Sequence, residues 1–275
     1  MFGFVCYDSD SRPPLLPGAA APLSVENLPI ITSTGARIAA VLARPDAPTG
    51  VPVLVLPDNH GLAEFPRSLA TRLAGRGHVA LAIDYIDRER PAAPAAEDVP
   101  FVERFVRFSD RVMKDVLPAA VARLRATAGR SLVALGCCLG GRFAFLAAAR
   151  ALGLVGAIGL YGGPQSIGTQ HGPTALADRI TAPVLALFGG ADDSIPPAAV
   201  SAFAAALSAA GMPHEVVVYP DAPHGFFEDA PAFGDAAADA WHRILIFLDA
   251  RAADAGVEEV RVVDGWDAER AAPAG

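Results

Sequence analysis

Apolar residues along this chain fall in short unbroken runs separated by longer amphipathic stretches, a rhythm that predicts alternating strands and helices. The runs at 52–57, 78–85, 132–137, 154–161 and 184–188 contain few or no polar residues, as suits strands buried on both faces. Further strands are expected at 29–32 and 37–43, split by the turn-like Ser33-Thr34-Gly35-Ala36, and at 215–219. Helices are expected at 66–75, 139–151, 197–210 and 236–253. The strongest helical signal spans 101–128. There Phe101, Phe105, Phe108 and Val112 share one face, while Arg104, Arg107, Arg111 and Lys114 lie mostly on the other. That basic face reads as solvated surface, with contact to an acidic substrate as the alternative.

Strands alternating with helices of this length define an α/β fold, a mostly parallel central sheet with helices on both faces. Residues 28–254 are expected to form this single domain. Residues 1–27, rich in Pro, Ala and Ser, read as an irregular N-terminal arm. The Pro/Ala-rich stretch 91–100 reads as a surface loop, and 255–275 as a peripheral tail in which Val260, Val262 and Val263 could form a small edge strand.

Composition narrows the function classes. A chain of 275 residues, 52% hydrophobic and 19% charged, can bury one large core and is not a disordered chain. Its net charge is −8, and no basic run could follow a phosphate backbone, which excludes nucleic acid as an expected partner. The apolar runs are too short to span a bilayer, and the N-terminus lacks the pattern of a signal peptide. Three cysteines, two of them adjacent, make no disulfide framework. The expectation is a cytoplasmic protein, monomer or small homo-oligomer, that acts on a small molecule without metal or cofactor.

The chemistry centres on Gly136-Cys137-Cys138-Leu139-Gly140-Gly141, which follows one apolar run and opens a helix-like stretch. Strand, G-x-nucleophile-x-G, helix is the pattern of a nucleophile elbow, in which small flanking residues let the backbone turn sharply. Here the central residue is Cys138. A thiolate there would gain from the positive end of the helix dipole. Its partners should lie in loops at the carboxyl ends of later strands. Gly189-Gly190-Ala191-Asp192-Asp193 follows one such strand, and either carboxylate could orient a histidine or simply close an Asx turn. Pro220-Asp221-Ala222-Pro223-His224-Gly225-Phe226-Phe227 follows another. Nucleophile, acid, histidine is the chain order of α/β-hydrolases. His78, His171, His214 and His242 are poorly placed, and of the remaining histidines only His60 stands near a plausible site loop. Two oxyanion donors are expected, the Leu139 N–H and an N–H after the 53–57 strand, with Asn59 favoured. A redox role for Cys137 and Cys138 is the other reading of the pair. Adjacent Cα atoms lie about 3.8 Å apart, below the ~4.4 Å that disulfides need, and Cys137 reads as buried packing.

Taken together, the elbow, Gly189-Gly190-Ala191-Asp192 with Ile195-Pro196, and Ala222-Pro223-His224-Gly225-Phe226 resemble the dienelactone hydrolase family. Val55-Leu56-Pro57-Asp58-Asn59-His60-Gly61 and Ala82-Ile83-Asp84-Tyr85 add to the resemblance, which covers roughly residues 29–250. It implies an α/β-hydrolase fold, selects Asp192 over Asp193, and implies a Cys138–His224–Asp192 triad that cleaves an ester or lactone through a thioester. Two positions depart from the family pattern. Asp58 stands where lactone-cleaving members carry a glutamate that engages the cysteine before substrate arrives. Glu228 stands where they carry an arginine that holds the substrate carboxylate, so an anionic lactone would meet a like charge; Arg104 and Arg107 are the candidate substitutes. Tyr85, Tyr161, Phe226 and Phe227 are candidates for lining a pocket, against ordinary core packing. A catalytically silent binding protein on the same fold is the alternative to an enzyme.

Overall fold

The computed structural model describes residues 10–16, 21–86, 100–129, 131–150 and 152–254. Eight strands form one sheet: β1 (Leu23–Ile31), β2 (Arg37–Pro45), β3 (Val53–Leu56), β4 (Ala80–Ile83), β5 (Val133–Cys137), β6 (Gly156–Leu160), β7 (Val184–Gly189) and β8 (His214–Tyr219). Their order across the sheet is β1-β2-β4-β3-β5-β6-β7-β8. β1 pairs antiparallel with β2, and β2 with β4; every later pairing is parallel. The mostly parallel α/β architecture expected from the apolar rhythm is therefore present.

The burial of each strand explains its composition. Every residue of β3, β4, β5, β6 and β7 is buried, because helices cover both faces of this central region. Strand β1 begins at Leu23, six residues before the expected start at 29, and takes in the end of the stretch read as an irregular arm. The reason is its edge position: of its nine residues only Leu28 and Ile30 are buried, so polar Ser24, Glu26 and Asn27 hide the strand signal.

The helices are α1 (Glu64–Ala74), α2 (Phe101–Arg111), α3 (Leu117–Ala128), α4 (Leu139–Ala148), α5 (Pro197–Ala209) and α6 (Gly234–Asp254). The single long helix expected over 101–128 is continuous in backbone but widens into a π-helical turn at Val112–Val116, dividing α2 from α3. Its basic face is largely solvated. Arg107 pairs with Glu103 and Lys114 with Asp110 one turn earlier, while half-buried Arg111 donates to the Tyr85 carbonyl at 2.7 Å. Residues 91–99 of the expected loop and the tail 255–275 with its expected edge strand lie outside the described residues.

Candidate active site

β5 lies at the middle of the sheet, between β3 and β6, and delivers Cys138 at its carboxyl end. Cys138 has φ 53° and ψ −115°, a conformation that L-residues adopt only under constraint. The constraint is visible. The Cys138 N–H donates to the Leu160 carbonyl at 2.9 Å, and the Arg142 N–H donates to the Cys138 carbonyl at 3.1 Å. Gly140 allows the elbow to press onto the loop after β3: a Cβ there would lie 2.0 Å from the Leu56 oxygen and 2.5 Å from the Pro57 oxygen. Leu139 is the first residue of α4, where backbone N–H groups point out of the helix end. Asn59 sits two residues beyond Pro57, in the loop that touches Gly140.

β7 and β8 deliver the other two groups. Their loops interlock: the Gly190 N–H donates to the Tyr219 carbonyl and the Ala191 N–H to that of Ala222. A Cβ on Gly189 would strike the Ala222 oxygen at 2.3 Å, so the glycine admits the neighbouring loop. Asp192 accepts N–H bonds from Ser194 and Ile195 through Oδ1 and bonds His224 Nδ1 at 2.6 Å through Oδ2. The Asp192 side chain is almost fully buried, 1% exposed. His224 also hydrogen-bonds Cys138. Burial pushes the His224 imidazole down, but its bonds to Asp192 and Cys138, with their charges, outweigh burial and hold it up at about 10. The structure thus brings the three sequence-selected groups together in one contact chain.

Cys137 differs sharply from its neighbour. It is 2% exposed; burial, reinforced by the negative charges of Asp58 and Cys138, pushes its thiol far up and keeps it protonated, against the opposing pull of Tyr161. Both cysteines are free thiols.

The remaining sequence candidates fall behind or beside this centre. Tyr85, Phe226 and Phe227 are each 0% exposed. Tyr85 donates its hydroxyl to the Pro57 carbonyl and packs edge-on against Phe143, bracing the loop that carries Asn59. Phe226 packs on Tyr161 and Tyr219, and Phe227 on Phe65 and Trp241. These three rings form the packing beneath the site. Asp58 is also 0% exposed, and both its oxygens bind His60, the ring Nδ1 at 2.8 Å and the backbone N–H at 2.9 Å. Glu228 is half-buried and accepts the Ser11 hydroxyl at 3.1 Å. The segment around Ser11 is strapped across this end of the molecule: the Arg12 carbonyl accepts the Asp229 N–H, and the Pro14 carbonyl accepts Trp241 Nε1.

Tyr161, the fourth candidate for lining a pocket, follows β6 at φ 39°, is buried, and lays its ring 5.0 Å from that of His224. One feature escaped sequence reasoning. Arg142 is 3% exposed and donates to the carbonyls of Gly163 and Gln165 and to Gln170 Oε1, latching the loop after β6 onto α4. Burial lowers its pKa to about 10. A lone arginine inside the otherwise apolar α4 was the available signal.

A strained cysteine on a strand-to-helix turn, over an eight-stranded sheet of this order, defines an α/β-hydrolase. More narrowly, residues 38–251 match the model of the dienelactone hydrolase family, and the chain belongs to that family. A Salmonella typhimurium protein named "Putative carboxymethylenebutenolidase" is 33% identical over 258 residues, covering 88% of this chain and 93% of its own. One of the same name from Escherichia coli O157:H7 is 34% identical over 229 residues, covering 78% and 83%. The crystal structure of a dienelactone hydrolase-like protein from Klebsiella pneumoniae, titled "Putative Dienelactone Hydrolase", superposes with a TM-score of 0.69 at 29% identity, covering 82% of this chain and 98% of that one. Among the described residues no helix is long and apolar enough to cross a membrane.

Proposed function

We propose that this hydrolase, carboxymethylenebutenolidase-like in its chemistry, cleaves carboxylic esters or lactones of small molecules through a Cys138–His224–Asp192 triad. The observation that carries the reading is the contact chain Cys138–His224–Asp192, with the acid 2.6 Å from the ring and the thiol on a strained elbow. In the first step the Cys138 thiolate adds to the substrate carbonyl carbon, and the π electrons move onto oxygen. The Leu139 and Asn59 N–H groups are assigned to receive that oxyanion. The tetrahedral species then collapses: the C–O bond to the leaving group breaks, His224 gives it a proton, and a thioester remains on Cys138. Water, deprotonated by His224, attacks the thioester and returns the thiol and the acid product. Asp192 holds the ring through Nδ1, so that Nε2 is the atom that moves the proton.

Substrate charge is part of the proposal. With Glu228 rather than a cation four residues after His224, neutral esters and lactones are favoured over anionic ones. A cytoplasmic location belongs to the same reading. The decisive experiment follows hydrolysis of p-nitrophenyl acetate and butyrate by the wild type and by Cys138→Ala. Turnover is expected to vanish in the variant. Undiminished turnover there would end the proposal, and no turnover in the wild type would point to a silent binding protein.

A further inference from the structure

The proposed chemistry uses one Asp–His pair, and the same end of the sheet holds a second. His60 Nδ1 lies 2.8 Å from Asp58 Oδ2, much as His224 Nδ1 lies 2.6 Å from Asp192 Oδ2. The Asp58 side chain is 0% exposed and that of His60 17%. Its other oxygen accepts the His60 backbone N–H, so one residue occupies both oxygens of a fully buried carboxylate. The loop that holds this pair is the one pressed against Gly140 of the elbow, two residues from the nucleophile. The negative charge of Asp58 reaches the elbow: after burial and alongside Cys138, it helps keep the Cys137 thiol protonated. Cys138 is the next residue, and its role requires the opposite state. A buried carboxylate beside a thiol disfavours the thiolate, and a charge-assisted N–H bond to that carboxylate offsets the effect.

We propose that His60 is a positioning residue that holds both oxygens of Asp58 and offsets most of its charge, helping Cys138 keep its reactive anionic form. The inference rests on Cys138 being the nucleophile. Other groups facing this assembly do not replace His60. His224 and the Tyr161 hydroxyl approach the two cysteines, Asp84 faces Gly61, and Tyr85 bonds the Pro57 carbonyl. Arg111 is engaged with the Tyr85 carbonyl. Asp84 adds a second negative group near the loop, which increases the need for the His60 contact.

The test is the pH dependence of Cys138 alkylation by iodoacetamide, scored by peptide mass spectrometry, in the full-length wild type, His60→Phe, Asp58→Asn and the double variant. His60→Phe is expected to move the profile upward by about one unit, slowing alkylation about tenfold below the midpoint. Asp58→Asn alone, which keeps the side-chain volume, should stay within about threefold of wild type, since most of its charge is already offset. In the double variant, removing the charge should restore most of the lost rate; a merely structural role for His60 would not be rescued this way. An unshifted His60→Phe profile, an unrescued double variant, or a large shift in Asp58→Asn in either direction overturns the proposal. Should His60→Phe fail to fold, His60→Gln takes its place with the same expected upward shift, and a large shift in Asp58→Asn still overturns the proposal. Hydrolysis by Cys138→Ala is a separate readout: persistence there removes the nucleophile assignment, while the alkylation profiles still report whether His60 governs the thiol.

Discussion

Replacing Gly140 by alanine tests whether the contact between the elbow and the β3 loop sustains catalysis. The added Cβ would lie 2.0 Å from the Leu56 oxygen, whereas ordinary contact begins at 3.4 Å, so the two backbones must part by about 1.4 Å. Neither obstacle is a flexible side-chain end; both are main-chain oxygens. Overpacking of this kind costs about 1–3 kcal/mol of stability. Displacements near 1 Å cost about 100-fold in rate, and loss of one oxyanion donor costs a similar amount. Gly140→Ala should therefore fold, melt several degrees lower, and lose at least ~100-fold in kcat/KM for p-nitrophenyl acetate. Gly163→Ala is the control, since its Cβ would meet only Gln165 Oε1 at 3.5 Å. A folded Gly140→Ala enzyme within about fivefold of wild type would show that the elbow and loop need not hold this register.

Three further outcomes follow from the site. Asp192→Asn keeps the ring's neighbour but not its charge, and should lower kcat by about 10³-fold or more with little change in melting temperature; a loss under tenfold would remove Asp192 from its role. His224 is held up at about 10, above its ordinary value near 6.5, so it stabilises the fold fully below pH 6.5 and loses that contribution as pH rises through 10. Urea denaturation should show stability falling across that window in wild type, and a flatter dependence in His224→Asn is the expected control. Arg142→Met strands the Gly163 and Gln165 carbonyls and should destabilise by roughly 2–4 kcal/mol; denaturation midpoints equal to wild type would show that other groups hold the loop.

What the chain made legible was chemistry carried by local turns. Each of the three site motifs lies directly after a strand, with glycines spaced for a sharp turn or a close neighbour, so their order along the chain could be matched to a fold. Side-chain direction was not legible in the same way. Tyr85 follows β4 and Phe226 and Phe227 follow His224, yet all three turn inward, because an aromatic beside a site can equally serve as the floor beneath it. Strand β1 was half-hidden because an edge strand needs few apolar residues. The bond between Asp58 and His60 spans only two residues, but its existence depends on ring orientation, which spacing does not fix.

The strap at residues 11–14 ties the N-terminal arm to the loop that carries His224. Ser11 grips Glu228 and Arg12 grips Asp229, four and five residues after His224, while Pro14 ties the same segment to Trp241 on α6. A change in this arm would therefore reach the His224 loop without altering Cys138, Asp192, His224 or the sheet that bears them.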